Sequence, residues 1–238
     1  MAIAYLETVT ATGNNVTSVT TPSMNTVSGN GIVAQISIEH SSGGAYSSFT
    51  DSVSHPWTAS YTGAGSASTI RERYNSNITG NAAHTFTVTL TEPGYPTLAV
   101  SEISGQDNTG ALHVAATGDA TSGTTHNTTN ITTTIADCLL FGVAGSSGFD
   151  GAHTFTNADV NFITRSNTPY ASGQTGLLVA TRVTTETGTY NEAYQTSDTA
   201  APKQATSAYK AAAVPGGHPT IRRLGGFYPR TSGSQRVF

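Results

Sequence analysis

Glu102 is the most unusual chemical group in the sequence. Counted by twos from Leu98 and Val100, it falls on the same strand face as those apolar residues, which buries a carboxylate. A buried carboxylate needs a partner or a raised pKa. Arg71 and Arg73, in Ile70-Arg71-Glu72-Arg73-Tyr74, are the candidates for a structural ion pair. A glycosidase would need a second acid at a set distance, and the sequence places none. The seven histidines are scattered, without an H-x-H or H-E-x-x-H pair, so no metal site is assigned. Asp107-Asn108-Thr109-Gly110 and Gly118-Asp119 could offer oxygens to calcium, but the same residues are ordinary turn formers. The single cysteine, Cys138, lies in an apolar run, excludes an intrachain disulfide and reads as a core thiol. Neither G-x-x-x-x-G-K-[ST] nor G-x-S-x-G occurs. The sequence therefore assigns no catalytic residue and no cofactor, and the protein is expected not to be an enzyme.

The elements that carry these residues are strands. In His84-Thr85-Phe86-Thr87-Val88-Thr89-Leu90, Phe86, Val88 and Leu90 share one face and the threonines the other. Gly31 to His40 puts Ile32, Ala34, Ile36 and Ile38 opposite Val33, Gln35, Ser37 and Glu39, and Leu177 and Val179 recur in the same way. Phe86, Val88, Leu90, Leu98, Val100, Leu139, Phe141, Leu177 and Val179 are the expected core. Charged residues make up only 10% of the 238, while the chain holds 42 Thr and 25 Gly, so β-branched threonine takes strand positions and glycine punctuates them. No window reads as an amphipathic helix, and no stretch approaches the roughly 20 apolar residues of a membrane span. The expected fold is all-β: one antiparallel β-sandwich over residues 1–213, jelly-roll-like, with no tandem repeat of fixed period.

Charge divides the chain further. All fourteen acidic residues precede Val214, so the body, with six basic residues, carries a formal −8, and the last 25 residues carry +4. Pro and Gly keep residues 214–238 from continuing a strand or helix. The segment reads as an extended C-terminal arm whose Arg222, Arg223, Phe227, Tyr228, Arg230, Arg236 and Phe238 bind a partner, with folding back on its own body as the other reading. Four arginines over 25 residues lack the density of a nucleic-acid stripe.

The segment Thr50-Asp51-Ser52-Val53-Ser54-His55-Pro56-Trp57-Thr58-Ala59 resembles the "TDS-x-G-N-x-W-T-x-A" hairpin of a β-sandwich module found in secreted bacterial proteins and tailed-phage virion proteins. Residues 83–90, 97–105 and 137–145 follow in the module's order, and Thr187-Gly188-Thr189-Tyr190 with Ala205 to Lys210 resembles its closing hairpin. The resemblance spans roughly Gly31 to Ala213 and departs at Ser54-His55-Pro56, where the module has a Gly-Asn turn. It implies an adhesive or structural role. The chain starts Met1-Ala2-Ile3-Ala4-Tyr5 without an export signal, and with the arm this favours a virion over a secreted protein. The expected function is capsid decoration or cementing, as an oligomer or lattice-bound copy, assembled in the host cytoplasm. The expected partners are the major capsid protein, other virion subunits or further copies of the chain, with no nucleic acid and no membrane. Two alternatives stay open: a tail or fibre protein recognising glycans through Trp57, Tyr46, Tyr61, Tyr95 and Tyr170, and a carbohydrate-binding module.

Overall fold

In the computed structural model the described residues, 2–39, 45–64, 68–145, 154–169 and 175–213, form strands and no helix. Residues 214–238, and with them the expected arm, lie outside this set. The first half of the chain holds β1 (Ala4–Thr12), β2 (Val16–Thr20), β3 (Met24–Thr26), β4 (Gly31–Glu39), β5 (Tyr46–Asp51), β6 (Thr58–Ala64), β7 (Ser68–Asn75), β8 (Asn81–His84) and β9 (Phe86–Ser104). The second holds β10 (Leu112–Asp119), β11 (Gly123–Asn127), β12 (Ile131–Thr133), β13 (Cys138–Gly145), β14 (Phe155–Asn157), β15 (Ile163–Thr168), β16 (Leu177–Thr184), β17 (Gly188–Tyr190), β18 (Ala193–Ala200) and β19 (Lys203–Lys210). Every pairing is antiparallel, and the sheets stack as a β-sandwich.

The strand order of the first half recurs in the second. A sheet β1-β9-β4-β7-β6 is matched by β10-β19-β13-β16-β15, the pairs of β2 and β5 with β9 by β11-β18-β14, and β3-β8 by β12-β17. β9 serves both sheets of its half, pairing with β2 and β5 through its first part and with β1 and β4 through its last. Four layers result. The two five-stranded sheets meet face to face through Val33, Ile70, Ala99 and Ile103 on one side and Leu139, Phe141, Val143, Leu177 and Val179 on the other. Phe49, Phe86, Val88 and Leu90 cover the outer face of the first sheet, and Phe155, Phe162 and Tyr194 that of the second. The contacts between the halves are themselves paired: β1 meets β15 as β10 meets β6, and β9 meets β16 as β19 meets β7. The halves therefore pack about a pseudo-two-fold, as an isologous dimer would.

The nine expected core residues are all buried, each fully buried aliphatic or aromatic contributing roughly 1.5–3 kcal/mol. They divide, however, between two separate clusters, one inside the first half and one between the halves. β4 is buried on both faces, because the face bearing Gln35, Ser37 and Glu39 meets the second half rather than water. The polar groups there are tied across the junction. Glu72 accepts from Gln35 Nε2 (3.0 Å), Ser207 Oγ (3.0 Å) and Tyr209 Oη (2.6 Å), and the Tyr209 hydroxyl also meets Ser60 Oγ at 2.8 Å. Burial pushes the Glu72 pKa up, and its hydrogen bonds oppose that rise without cancelling it.

Candidate functional site

Strand register gathers Asp51, His55 and His84 into one cluster that sequence spacing did not suggest. Asp51 ends β5 opposite Phe86, and His84 lies two residues before Phe86, so a loop residue four beyond Asp51 can fold back between them. The turn is tight: Ser54, standing where the resembled module has glycine, takes a φ of 63°, the left-handed conformation glycine normally supplies. Asp51 holds it there. Its Oδ1 accepts from the backbone N–H groups of Val53 and His55, both at 3.0 Å, and its Oδ2 accepts from His55 Nδ1 at 2.6 Å. His84 Nε2 lies 3.2 Å from the same Oδ2, while His84 Nδ1 meets Thr26 Oγ1 at 2.9 Å. Burial works to raise the Asp51 pKa, but the His55 side chain and the backbone donors outweigh it and hold the carboxyl below its ordinary value. Burial lowers the His84 pKa against the pull of Asp51, which keeps that ring neutral at neutral pH.

The three candidate ligand atoms lie within 4.8 Å of one another, a spacing compatible with a metal ion. The donor set argues otherwise. His55 Nε2 accepts the backbone N–H of Thr79 at 2.8 Å, so the proton of the neutral ring sits on Nδ1, facing Asp51. A metal on Nδ1 would displace that proton and force Nε2 to carry one, donor against donor. β5 pairs with β9 and β6 with β7, so the segment between them is a connection and not the hairpin that the resemblance implied, and the cluster works as a hydrogen-bonded hub that clamps this connection to the loop before β8.

The second half places different chemistry at the same strand positions. Asn157 pairs with Tyr194 as Asp51 pairs with Phe86, so Glu192 occupies the place of His84. Asn157 holds the β14–β15 connection with both ends of its amide, accepting from Asp159 N at 2.9 Å and donating to Phe162 O at 2.7 Å. Glu192 is fully buried, and neither carboxyl oxygen has a hydrogen-bond partner among the described residues. Its space comes from Gly142, where an added Cβ would lie 2.3 Å from Glu192 Oε2. Burial, with Asp159 adding repulsion, pushes the Glu192 pKa up to about 8, so the group is mostly protonated at neutral pH.

The expected partner of Glu102 is wrong. Its side chain is buried as anticipated, but Oε1 accepts from Val27 N and Asn30 Nδ2, both at 2.8 Å, because the β3–β4 turn and not β7 lies over it. Arg71 and Arg73 instead lie over the ring of Tyr46, their guanidinium carbons 4.5 and 4.9 Å from its centroid. The calcium candidates serve turns and lysines: Asp107 accepts from Thr109 and faces Lys210 at 3.0 Å, and Asp119 faces Lys203 at 2.5 Å. Cys138 is buried, and burial pushes its thiol up, as befits a core residue. Trp57 packs edge-on against Phe49 at 4.6 Å between ring centroids and against Phe86 at 6.0 Å. Tyr61 is buried and Tyr46 lies under the arginines, so these rings are engaged within the protein, while Tyr95 is half-buried. Tyr170, Arg222, Arg223, Phe227, Tyr228, Arg230, Arg236 and Phe238 lie outside the described residues. No protein family, curated protein or solved structure matches the chain.

Proposed function

We propose that this protein is a non-enzymatic structural component of a tailed-phage particle. In this reading a jelly-roll-like sandwich decorates or cements the capsid, and the arm, residues 214–238, docks on a neighbouring subunit. The observation that carries it is the use made of three acids withdrawn from solvent. Asp51, Glu72 and Glu102 each direct their oxygens at donors that tie one strand or turn to another, which is scaffold chemistry rather than reaction chemistry. The sequence adds the second support, because its last four arginines have no acid after Val214, whereas the body carries the formal −8.

Deleting residues 214–238 tests the reading. The truncated protein is expected to melt within a few degrees of the intact one, and to lose its place on particles when copies per virion are counted by quantitative mass spectrometry. Intact protein should approach the copy number of the capsid subunit. Wild-type occupancy by the truncated chain, or a copy number typical of a fibre, would sink the proposal.

A further inference from the structure

The first half carries an arginine where its counterpart carries core. Arg71 pairs with Ile36 across β7 and β4, and the matching position, paired with Gly142 across β16 and β13, is Ala180. Ala180 packs with Cys138, Leu140 and Phe162 in a dry cluster. The neighbouring pair is alike in the two halves: Arg73 stacks on Tyr46, and Arg182, its counterpart, lies 5.0 Å from the ring centroid of Tyr190. Stability alone accounts for one arginine on a tyrosine. It does not account for the second.

Arg71 and Arg73 put two positive charges side by side on an otherwise acidic body, and among the described residues neither has a carboxylate partner. Arg73 Nε donates to Tyr46 Oη at 3.0 Å and Arg71 Nη1 to Thr62 Oγ1 at 3.3 Å. Arg71 Nε is buried and has no hydrogen-bond partner among the described residues, a donor desolvated without compensation there. Burial and the neighbouring Arg73 both work to lower the Arg71 pKa, so the pair sits at an electrostatic cost that an incoming anion would relieve. Both residues are half-buried, neither being closed off in the core as Glu72 between them is.

We propose that Arg71 and Arg73, braced on Tyr46, form an oxyanion site that receives a carboxylate presented by a protein partner. A guanidinium fork matches the two oxygens of a carboxylate, and charge-assisted bonds of this kind are about twice as strong as neutral ones. The Tyr46 ring holds both forks in place before the ligand arrives, which reduces the ordering cost of binding. The site belongs to the body and does not depend on the arm or on the phage reading, since any protein partner with exposed acids could use it.

The test uses the full chain. Glutarate, inorganic phosphate and chloride are titrated at matched ionic strength while the Arg71 Nε–H resonance is followed by NMR and the melting temperature is recorded. Glutarate is expected to shift that resonance in a saturable manner and to raise the melting temperature by several degrees, with chloride doing neither. An acidic hexapeptide of glutamates should bind at least tenfold more tightly than glutarate. Arg71→Ala, which installs the second half's residue, should abolish the melting response while leaving the anion-free melting temperature unchanged or higher. An Arg71 resonance that moves equally with chloride and glutarate overturns the site. Phosphate binding more tightly than glutarate and the hexapeptide overturns the carboxylate assignment. Equal destabilisation by Arg71→Ala with and without glutarate makes the guanidinium a structural brace and also overturns the proposal. Because the NMR titration is made on the unmodified protein, a variant that fails to fold does not rescue the idea.

Discussion

The two halves of the molecule solve the same folding problem with different buried chemistry. In the first, an acid at the end of β5 meets imidazoles, Asp51 with His55 and His84; in the second, an amide at the end of β14, Asn157, takes the place of the acid, and a mostly protonated acid just before β18, Glu192, takes the place of an imidazole. The residue beneath changes in step: Ile36 fills its site with hydrocarbon, whereas Gly142 leaves room for the Glu192 carboxyl. A β scaffold thus accepts very different polar groups at one position, provided donors, acceptors and volume are balanced together.

Exchanging residues between the halves should break this balance, most severely where volume is at stake. Gly142→Ile, which imports the first half's residue, forces a Cβ to within 2.3 Å of Glu192 Oε2 and should cost more than about 4 kcal/mol, read as a loss of folded protein in thermal unfolding. The next effect is one of pH. The unfolded chain releases the Glu192 proton near the ordinary 4.5, and the folded chain keeps it until about 8. Between those values the native state binds the extra proton, so this contribution is fully present below the lower pH and is lost as pH rises to the upper one. Urea unfolding from pH 5 to 9 should show a decline of a few kcal/mol, with a slope of about 1.4 kcal/mol for each pH step of one inside that window, and Glu192→Gln should flatten it. A smaller loss is expected for Asp51→Asn, which copies Asn157: it keeps the turn bonds but opposes an amide N–H to His55 Nδ1–H, costing about 1–3 kcal/mol in the same assay. Smallest is Glu102→Gln, which retains an acceptor for Val27 and Asn30 and should change stability by less than about 1 kcal/mol. Were an arginine its partner, the same change would cost about 3–5 kcal/mol.

Alternation made the strands and their core readable, since Phe86, Val88, Leu139 and Phe141 are buried as their spacing demands. The duplication was not, because what recurs is strand order. Its traces in the sequence are short: Val9-Thr10-Ala11-Thr12-Gly13 against Val114-Ala115-Ala116-Thr117-Gly118, and Phe49-Thr50-Asp51 against Phe155-Thr156-Asn157. Period-two counting placed Glu102 inside correctly, but burial from one strand cannot say which neighbouring turn covers it. The hub was hidden for a related reason: Asp51 and His84 are 33 residues apart, and only the β5–β9 register brings them together. Alternation set Gln35, Ser37 and Glu39 opposite the isoleucines, but only the packing of a second sheet over that face shows them buried.

The unbroken course of β9 has a mechanical consequence. Its 19 residues pass from the outer layer of the first half into the central sheet without interruption, so a stretching load on either layer is carried directly to the other. In the second half the matching path is cut at Ala201-Pro202, where β18 ends at Ala200 and β19 begins at Lys203. Pulled from its ends, the first half should yield in one step, and the second should shed its outer sheet before its inner one.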